Sequence, residues 1–321
     1  MKVSAYQFSG VLIATSILSG CGPGSSPAIM PAARALDTPS RSGSWMRPEA
    51  EGENLLYVTD SWTTGKVYVF SYPMGKHVGT LTGFYLPSGE CVDKRGDVWL
   101  LNLSPAEVIE YAHGGTSPIA TLNDPTKEGV SCSVDPTSGD LAVASAHPAE
   151  VEIYKHATGT PTIYSDPDVP SFDACTYDDH GNLFIVSSGA SHPLAELPSG
   201  GNSILAIAFP AFSLGNIQWD GHNLAMSIFG GSRGPAKILR VQVVGASARI
   251  VGKTYLYANR DKQVGGVQFW IAGNRIVMPS QARITDTVIG VWSYPFGGDP
   301  VNRLHAWHSY FLSGVTVSPK R

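Results

Sequence analysis

The sequence predicts an all-β chain, a six-bladed β-propeller closed by strand exchange between its N- and C-terminal segments, and three observations carry that prediction. Six times after residue 53 a short apolar strand opens behind a Gly, Asn or Asp turn, at Asn54, Asp97, Asp140, Asn182, Asn223 and Asn274. The openings lie roughly 40 to 50 residues apart, the period of four-stranded blades, none of which can bury both its faces alone. Residues 315–321, Val-Thr-Val-Ser-Pro-Lys-Arg, stop where the internal copy at 91–97 runs on into its next strand, and residues 52–57 supply that continuation. Exchange of the terminal strands would remove the open edges that invite aggregation. The 35 Gly and 23 Pro suit many short strands and tight turns, and no helical periodicity competes.

Three segments follow in order. Residues 1–20 read as a signal peptide, with Lys2 as a minimal positive region and an apolar stretch over 11–18 too short to span a bilayer. Leu18-Ser19-Gly20-Cys21 resembles a bacterial lipobox, in which the cysteine thiol is diacylated and becomes the new N-terminus. Two or three acyl chains such as palmitate anchor a protein durably where one does not. The resemblance implies an exported lipoprotein, anchored through Cys21 to the cell envelope and facing the periplasm or the cell surface. The non-acidic Gly22 points towards an outer membrane if the cell has one. Residues 21–51 are rich in Pro, Ser and Ala without apolar periodicity and read as a flexible tether, with Trp45 and Met46 as its residues most apt to pack on the domain. Residues 52–321 form the propeller. A formal charge of −4, with no basic stripe, argues against a nucleic-acid partner, and the chain is expected to be a monomer.

The blade pattern, an Asp-x-x-Gly-Asn-type turn followed by a strand like Tyr57-Val58-Thr59-Asp60 and a strand ending in Tyr, resembles the NHL and SMP-30-like six-bladed propellers. Such folds serve binding scaffolds, lactonases and lyases, so the resemblance specifies the fold more than an activity. It also implies that the strand before each turn is innermost. Aligned on Asp93, Asp135, Asp178 and Asp220, these strands alternate. Glu90, Cys132, Cys175 and Ile217 share one face, expected between blades. Cys91, Ser131, Ser133, Thr176, Asn216 and Gln218 share the other, expected to line a wet channel.

The four aspartates start tight turns and bond their own backbone, with Gly96, Gly139, Gly181 and Gly221 supplying positive φ; a ring of carboxylates around a cation is the alternative. Glu90 stands where other blades carry Cys or Ile, and is the weak candidate for a general base or metal ligand in the SMP-30 manner, unless it reaches solvent at the blade edge. The Gly-x-Ser-x-Gly run at 230–234 precedes a strand rather than a helix and reads as a connecting loop. With Cys21 acylated, Cys91, Cys132 and Cys175 remain, either as small buried hydrophobes or with one bridge, Cys91–Cys132 or Cys132–Cys175.

Two functions fit. The first is a tethered propeller presenting its loop-rich face to a protein, glycan or small ligand through Trp62, Tyr85, Glu128, His147, Phe172, Asp173, His192, Arg233 and Gln263, with Asn216 and Gln218 in the channel. It needs no cofactor. The alternative is a channel-centred hydrolase or lactonase using Ca2+ or another divalent cation held by Glu90, Asp173, Asn216 and Gln218. Only one or two acidic residues enter the upper channel, which weighs towards binding and leaves catalysis open.

Overall fold

The computed structural model describes residues 41–167, 169–187, 192–210, 214–228, 235–257, 262–264, 268–282, 287–306 and 311–321. All are strand, turn or loop, apart from the short 3-10 turns Pro48–Gly52 and Lys155–Ala157. No helix among the described residues is long and apolar enough to cross a membrane.

The strands form antiparallel units built alike. In four of them an inner strand runs into an Asp turn, at Asp93, Asp135, Asp178 and Asp220, and in all six the second strand opens at or one residue after the position the repeat marks: Asn54–Asp60, Val98–Asn102, Leu141–Ser145, Leu183–Val186, Leu224–Ile228 and Arg275–Ala282. The turns follow the Asx chemistry expected of them. Asp93 Oδ1 accepts from the Arg95 and Asp97 amides at 2.8 and 2.9 Å, and Asp220 Oδ1 from those of His222 and Asn223 at 3.0 and 2.7 Å. Gly96 and Gly221 sit at φ +83° and +93°, where a side chain would be strained.

The C-terminal strand Leu312–Ser318 pairs with Asn54–Asp60, with Leu55 opposite Ser318 and Val58 opposite Val315. The first sheet therefore holds strands from both ends of the chain. Trp45–Met46 adds a fifth strand at its outer edge, opposite Thr80 and Gly79, and Ala50 is fully buried. The fold thus reaches back before residue 52, and the tether expected over 21–51 is shorter by about its last ten residues. A four-stranded and a five-stranded unit towards the C-terminus share one nine-stranded sheet through a single parallel bridge, Leu256 to Gly298.

Because side chains alternate, each second strand supplies both the sheet before it and the sheet after it. Leu55 and Tyr57 pack with Val98 and Leu100, while Trp99 and Leu101 face the other way, onto Leu141 and Val143. The same rule builds the core between each later pair of units. A last cluster joins Val277, Ile289 and Val291 to Leu56, Val58 and Val315 of the first sheet. At roughly 25 cal/mol per Å² of buried apolar surface, these inter-sheet layers are the dominant stabilising term.

Candidate functional site

The inner strands Pro87–Val92, Gly129–Val134, Ala174–Tyr177 and Leu214–Trp219 lie side by side, with Leu312–Ser318 next to the first of them. The face expected to line a channel does border the central cavity, through Ser131, Ser133, Thr176, Asn216 and Gln218, and most of these side chains also bond the next inner strand. Ser131 Oγ accepts from the Cys175 amide at 3.3 Å and Ser133 Oγ from the Tyr177 amide at 3.0 Å. Thr176 Oγ1 accepts from the Trp219 amide at 3.0 Å. Gln218 makes a two-point bond with Ile271, accepting from its amide at 2.6 Å and donating to its carbonyl at 3.2 Å. Inner strands have no sheet partner on their central edge, so buried amides there need acceptors from a neighbour. Small hydroxyl and amide residues supply them.

The two-point bond recurs across a longer reach. Gln268 accepts from the Glu90 amide at 3.1 Å and donates to the Glu90 carbonyl. It passes over Gly314, where an added Cβ would lie 2.8 Å from the Ser88 carbonyl and 3.2 Å from Gln268 Oε1. Gly314 is thus required for close approach rather than for its φ.

The space left at the centre is a cavity of about 160 Å³ touched by Asn216, Gln218, Gln268, Tyr177, Trp219 and Trp270. Ligand clefts usually enclose roughly 300–1,000 Å³. Glu90 and Asp173 are not among its lining residues, so the four side chains of the hydrolase alternative are divided between different places.

Glu90 does not reach solvent. It is fully buried, pointing back at the first sheet, where Thr59 Oγ1 donates to its Oε2 at 2.9 Å and the Thr316 amide also bonds the carboxyl. Burial pushes its pKa up to about 8, so it is protonated at neutral pH.

Two gatherings of acidic groups are committed to the fold. Asp93, Asp97 and Glu110 converge, but Arg95 lies within them at 2.8, 3.3 and 3.0 Å, and Arg321 bonds Asp97 from the C-terminus. Two guanidinium groups hold the positions a cation would take. A second group went unnoticed in the sequence. Asp124 and Glu152 are buried together: Asp124 accepts from Thr126 Oγ1 at 2.7 Å and from the Lys127 and Gly129 amides at 2.8 and 3.2 Å, while Glu152 accepts from the Thr126 amide at 2.9 Å. Tyr154 donates to Glu152. Burial, with the Asp124 charge beside it, raises Glu152 to about 7. The pair fixes the loop before Gly129 tightly enough to hold Lys127 at φ +66°.

That loop opens onto the face where the inner strands begin, where the remaining binding candidates fall. Glu128 and His147 are exposed and paired at 3.6 Å, and His192 is exposed. Trp62 is 71% and Tyr85 57% exposed. Asp173 is half-buried, its amide donating to the Val186 carbonyl at 2.8 Å. Phe172 is a correction: it is fully buried between the third and fourth sheets against Cys175 and Tyr177, and presents nothing to a ligand. Asn216 and Gln218 lie deeper, at the cavity. Gln263 is in the short strand Lys262–Val264, opposite Gln281, and Arg233, with the rest of 230–234, lies outside the described residues.

The cysteines resolve to one bridge. Cys91 is one residue out of register with Cys132, so Cys91 faces forward from the second sheet and Cys132 backward from the third, and they form a disulfide with Cα atoms 5.6 Å apart. Cys132 and Cys175 both face backward and cannot meet; Cys175 is a buried free thiol.

No protein-family model matches the sequence, and no curated protein matches it. The fold does match solved structures. A chain of the nidogen/laminin complex superposes with a TM-score of 0.65 at 13% identity, covering 84% of this chain and 99% of that one. A Bacteroides caccae protein of unknown function gives 0.59 at 13%, over 83% and 99%. One from Desulfotomaculum acetoxidans, also functionally unknown, gives 0.56 at 9%, over 84% and 100%. The chain has an all-β, β-propeller-like fold.

Proposed function

We propose that this protein is a membrane-anchored binding lipoprotein, exported and held at the cell envelope through acylated Cys21. Residues 52–321 form a six-bladed propeller of NHL/SMP-30-like type, closed by the terminal strands. The period of the second strands, the pairing of Leu312–Ser318 with Asn54–Asp60 and the cluster linking the last unit to the first support the ring. The lipobox at 18–21 supports the anchor.

The observation that carries the binding reading is the use of the inner-strand side chains. Ser131, Ser133, Thr176, Gln218 and Gln268 are bonded to neighbouring strands, and Glu90 is buried and neutral, so the centre is architecture. What remains free to recognise a partner is the face around Glu128, His147 and His192, a surface of polar and titratable loops on a rigid scaffold. The nidogen/laminin neighbour is part of a protein complex, which favours a protein partner for a fold of this kind.

The test is photo-crosslinking in the native envelope from His147 or His192, with Ile163 on the outer circumference as control. The expected result is a discrete adduct from the first two positions and none from the third. Elemental analysis of the purified lipoprotein separates the alternative: about one calcium or zinc per chain, lost in Glu90→Gln, would replace binding by metal-dependent hydrolysis.

A further inference from the structure

We propose that the β-sheet domain rests on the bilayer through an aromatic patch of Trp62, Tyr85 and Phe311, so that Trp62 and Tyr85 belong to a lipid contact and the partner surface lies further round the same face. The inference depends on the anchor at Cys21.

Three loops build the patch. Trp62 follows the strand Asn54–Asp60, Tyr85 comes just before Pro87–Val92 and Phe311 just before Leu312–Ser318. Ser61 ties them together, donating to the Pro87 carbonyl and meeting the Ser313 hydroxyl, which itself donates to the Ser88 carbonyl at 3.1 Å. Asp60 braces the first loop by accepting from the Thr63 amide at 3.0 Å and Thr64 Oγ1 at 2.8 Å. The half-buried Phe311 ring supports Trp62 edge-on at 6.4 Å between centroids, leaving the indole standing out of the face. A patch already fixed in this way pays little ordering entropy on contact.

The chain outside the fold identifies the occupant. Arg41, the first described residue, lies with its guanidinium over the Phe84 ring at 5.8 Å, one residue from Tyr85, and pairs with Glu107 at 3.1 Å. The described chain therefore begins beside the patch, on the side nearer in sequence to Cys21. Arg41 lies twenty positions after Cys21. Even fully extended that stretch spans no more than about 70 Å. Acyl chains in the leaflet thus keep the patch at a high effective concentration near lipid, where a weak contact suffices. Trp and Tyr are the side chains that favour the headgroup boundary, an apolar ring with a polar handle. The adjoining cation is spent on Glu107 and the net charge is −4, so adsorption comes from ring insertion rather than from attraction to anionic lipid.

The full acylated protein is reconstituted in phosphatidylethanolamine/phosphatidylglycerol vesicles with and without brominated lipid, as wild type, Trp62→Phe and Tyr85→Ser. The difference between wild-type and Trp62→Phe emission isolates Trp62. That difference is expected to be strongly quenched by bromine, to lose most of the quenching in Tyr85→Ser, and to be indifferent to salt. Equal Trp62 emission in both vesicle types overturns the proposal, and so does quenching abolished by salt. The mass of the N-terminal peptide reports the anchor separately: an acylated Cys21 with an unquenched Trp62 refutes docking alone, whereas an unmodified Cys21 removes both. Unchanged melting of Trp62→Phe confirms that the fold is intact.

Discussion

Cys91 and Cys132 meet because they break the repeat: had both occupied the same register they would face the same way round the molecule, as Cys132 and Cys175 do. Their bond crosses the layer between the second and third sheets and closes a loop of 41 residues. On chain-entropy grounds a loop of that size is worth about 4 kcal/mol. Cys91→Ser or Cys132→Ser is therefore expected to lower the urea midpoint substantially, and reductant should lower the wild type to match. Cys175, whose thiol burial pushes up to about 12, should stay silent to a thiol reagent until the chain unfolds. A reductant-insensitive midpoint would show that the bridge does not form.

Removing residues 315–321 should cost far more than seven residues at a terminus ordinarily would. Leu312–Ser318 is the inner strand of the first sheet and contributes Val315 and Val317 to the core shared with the last unit. Its loss also uncovers the central edge of Asn54–Asp60 and unseats His113, whose Nδ1 lies 2.6 Å from Ser318 Oγ. The truncated chain is expected to be aggregation-prone, with no cooperative melt near that of the full chain; melting within a few degrees of it would separate the two termini.

Stability should fall as pH rises through neutrality. Glu90 and Glu152 are both raised, to about 8 and about 7 from an ordinary 4.5, so between roughly pH 5 and 8 the folded chain holds protons that the unfolded chain has released. A proton excess in the folded state means that alkali favours unfolding. Above about pH 8 the Glu90 charge is stranded in an apolar layer with Oε1 unpartnered among the described residues. Glu90→Gln keeps the shape and cannot ionise. Its midpoint should change less than the wild type's between about pH 6 and pH 9, and should exceed the wild type's at the upper end. A parallel decline in both would mean that other groups carry the dependence.

The repeat was legible because its signals are local: an Asn or Asp before an apolar run marks where every second strand opens, and Asp93 through Asp220 mark the turns. Alternation also sorted the inner-strand residues correctly into two faces. What it could not give is what each face meets, since that depends on how neighbouring strands converge. Ser131 and Thr176 line the central cavity as alternation implies, but that they also bond the next strand could not be read from the sequence. Gln268 was invisible for a related reason: its partner, Glu90, is 178 residues away, and nothing in its own segment repeats the Asp turn. Phe172 was misread because an aromatic in a loop looks the same whether it points out or into the layer beneath. The Asp124–Glu152 pair joins a loop to a third strand of the next unit, a contact no spacing encodes.

Cys21→Ser should release the protein from the membrane and leave the β-sheet domain unchanged. The anchoring energy resides in the acyl chains, at about 0.8 kcal/mol per buried CH2, and no other described segment is long and apolar enough to replace them. The aromatic patch adds orientation but too little area to hold the chain alone. In detergent-phase partitioning the wild type is expected in the detergent phase and Cys21→Ser in the aqueous phase, as an unprocessed or freed form. Its circular dichroism and melting should match the wild type's, because Cys21 lies 24 positions before the first described strand, Trp45–Met46. Unchanged partitioning of the variant would end the lipoprotein reading, whereas altered melting would mean that residues before Arg41 contribute to the domain.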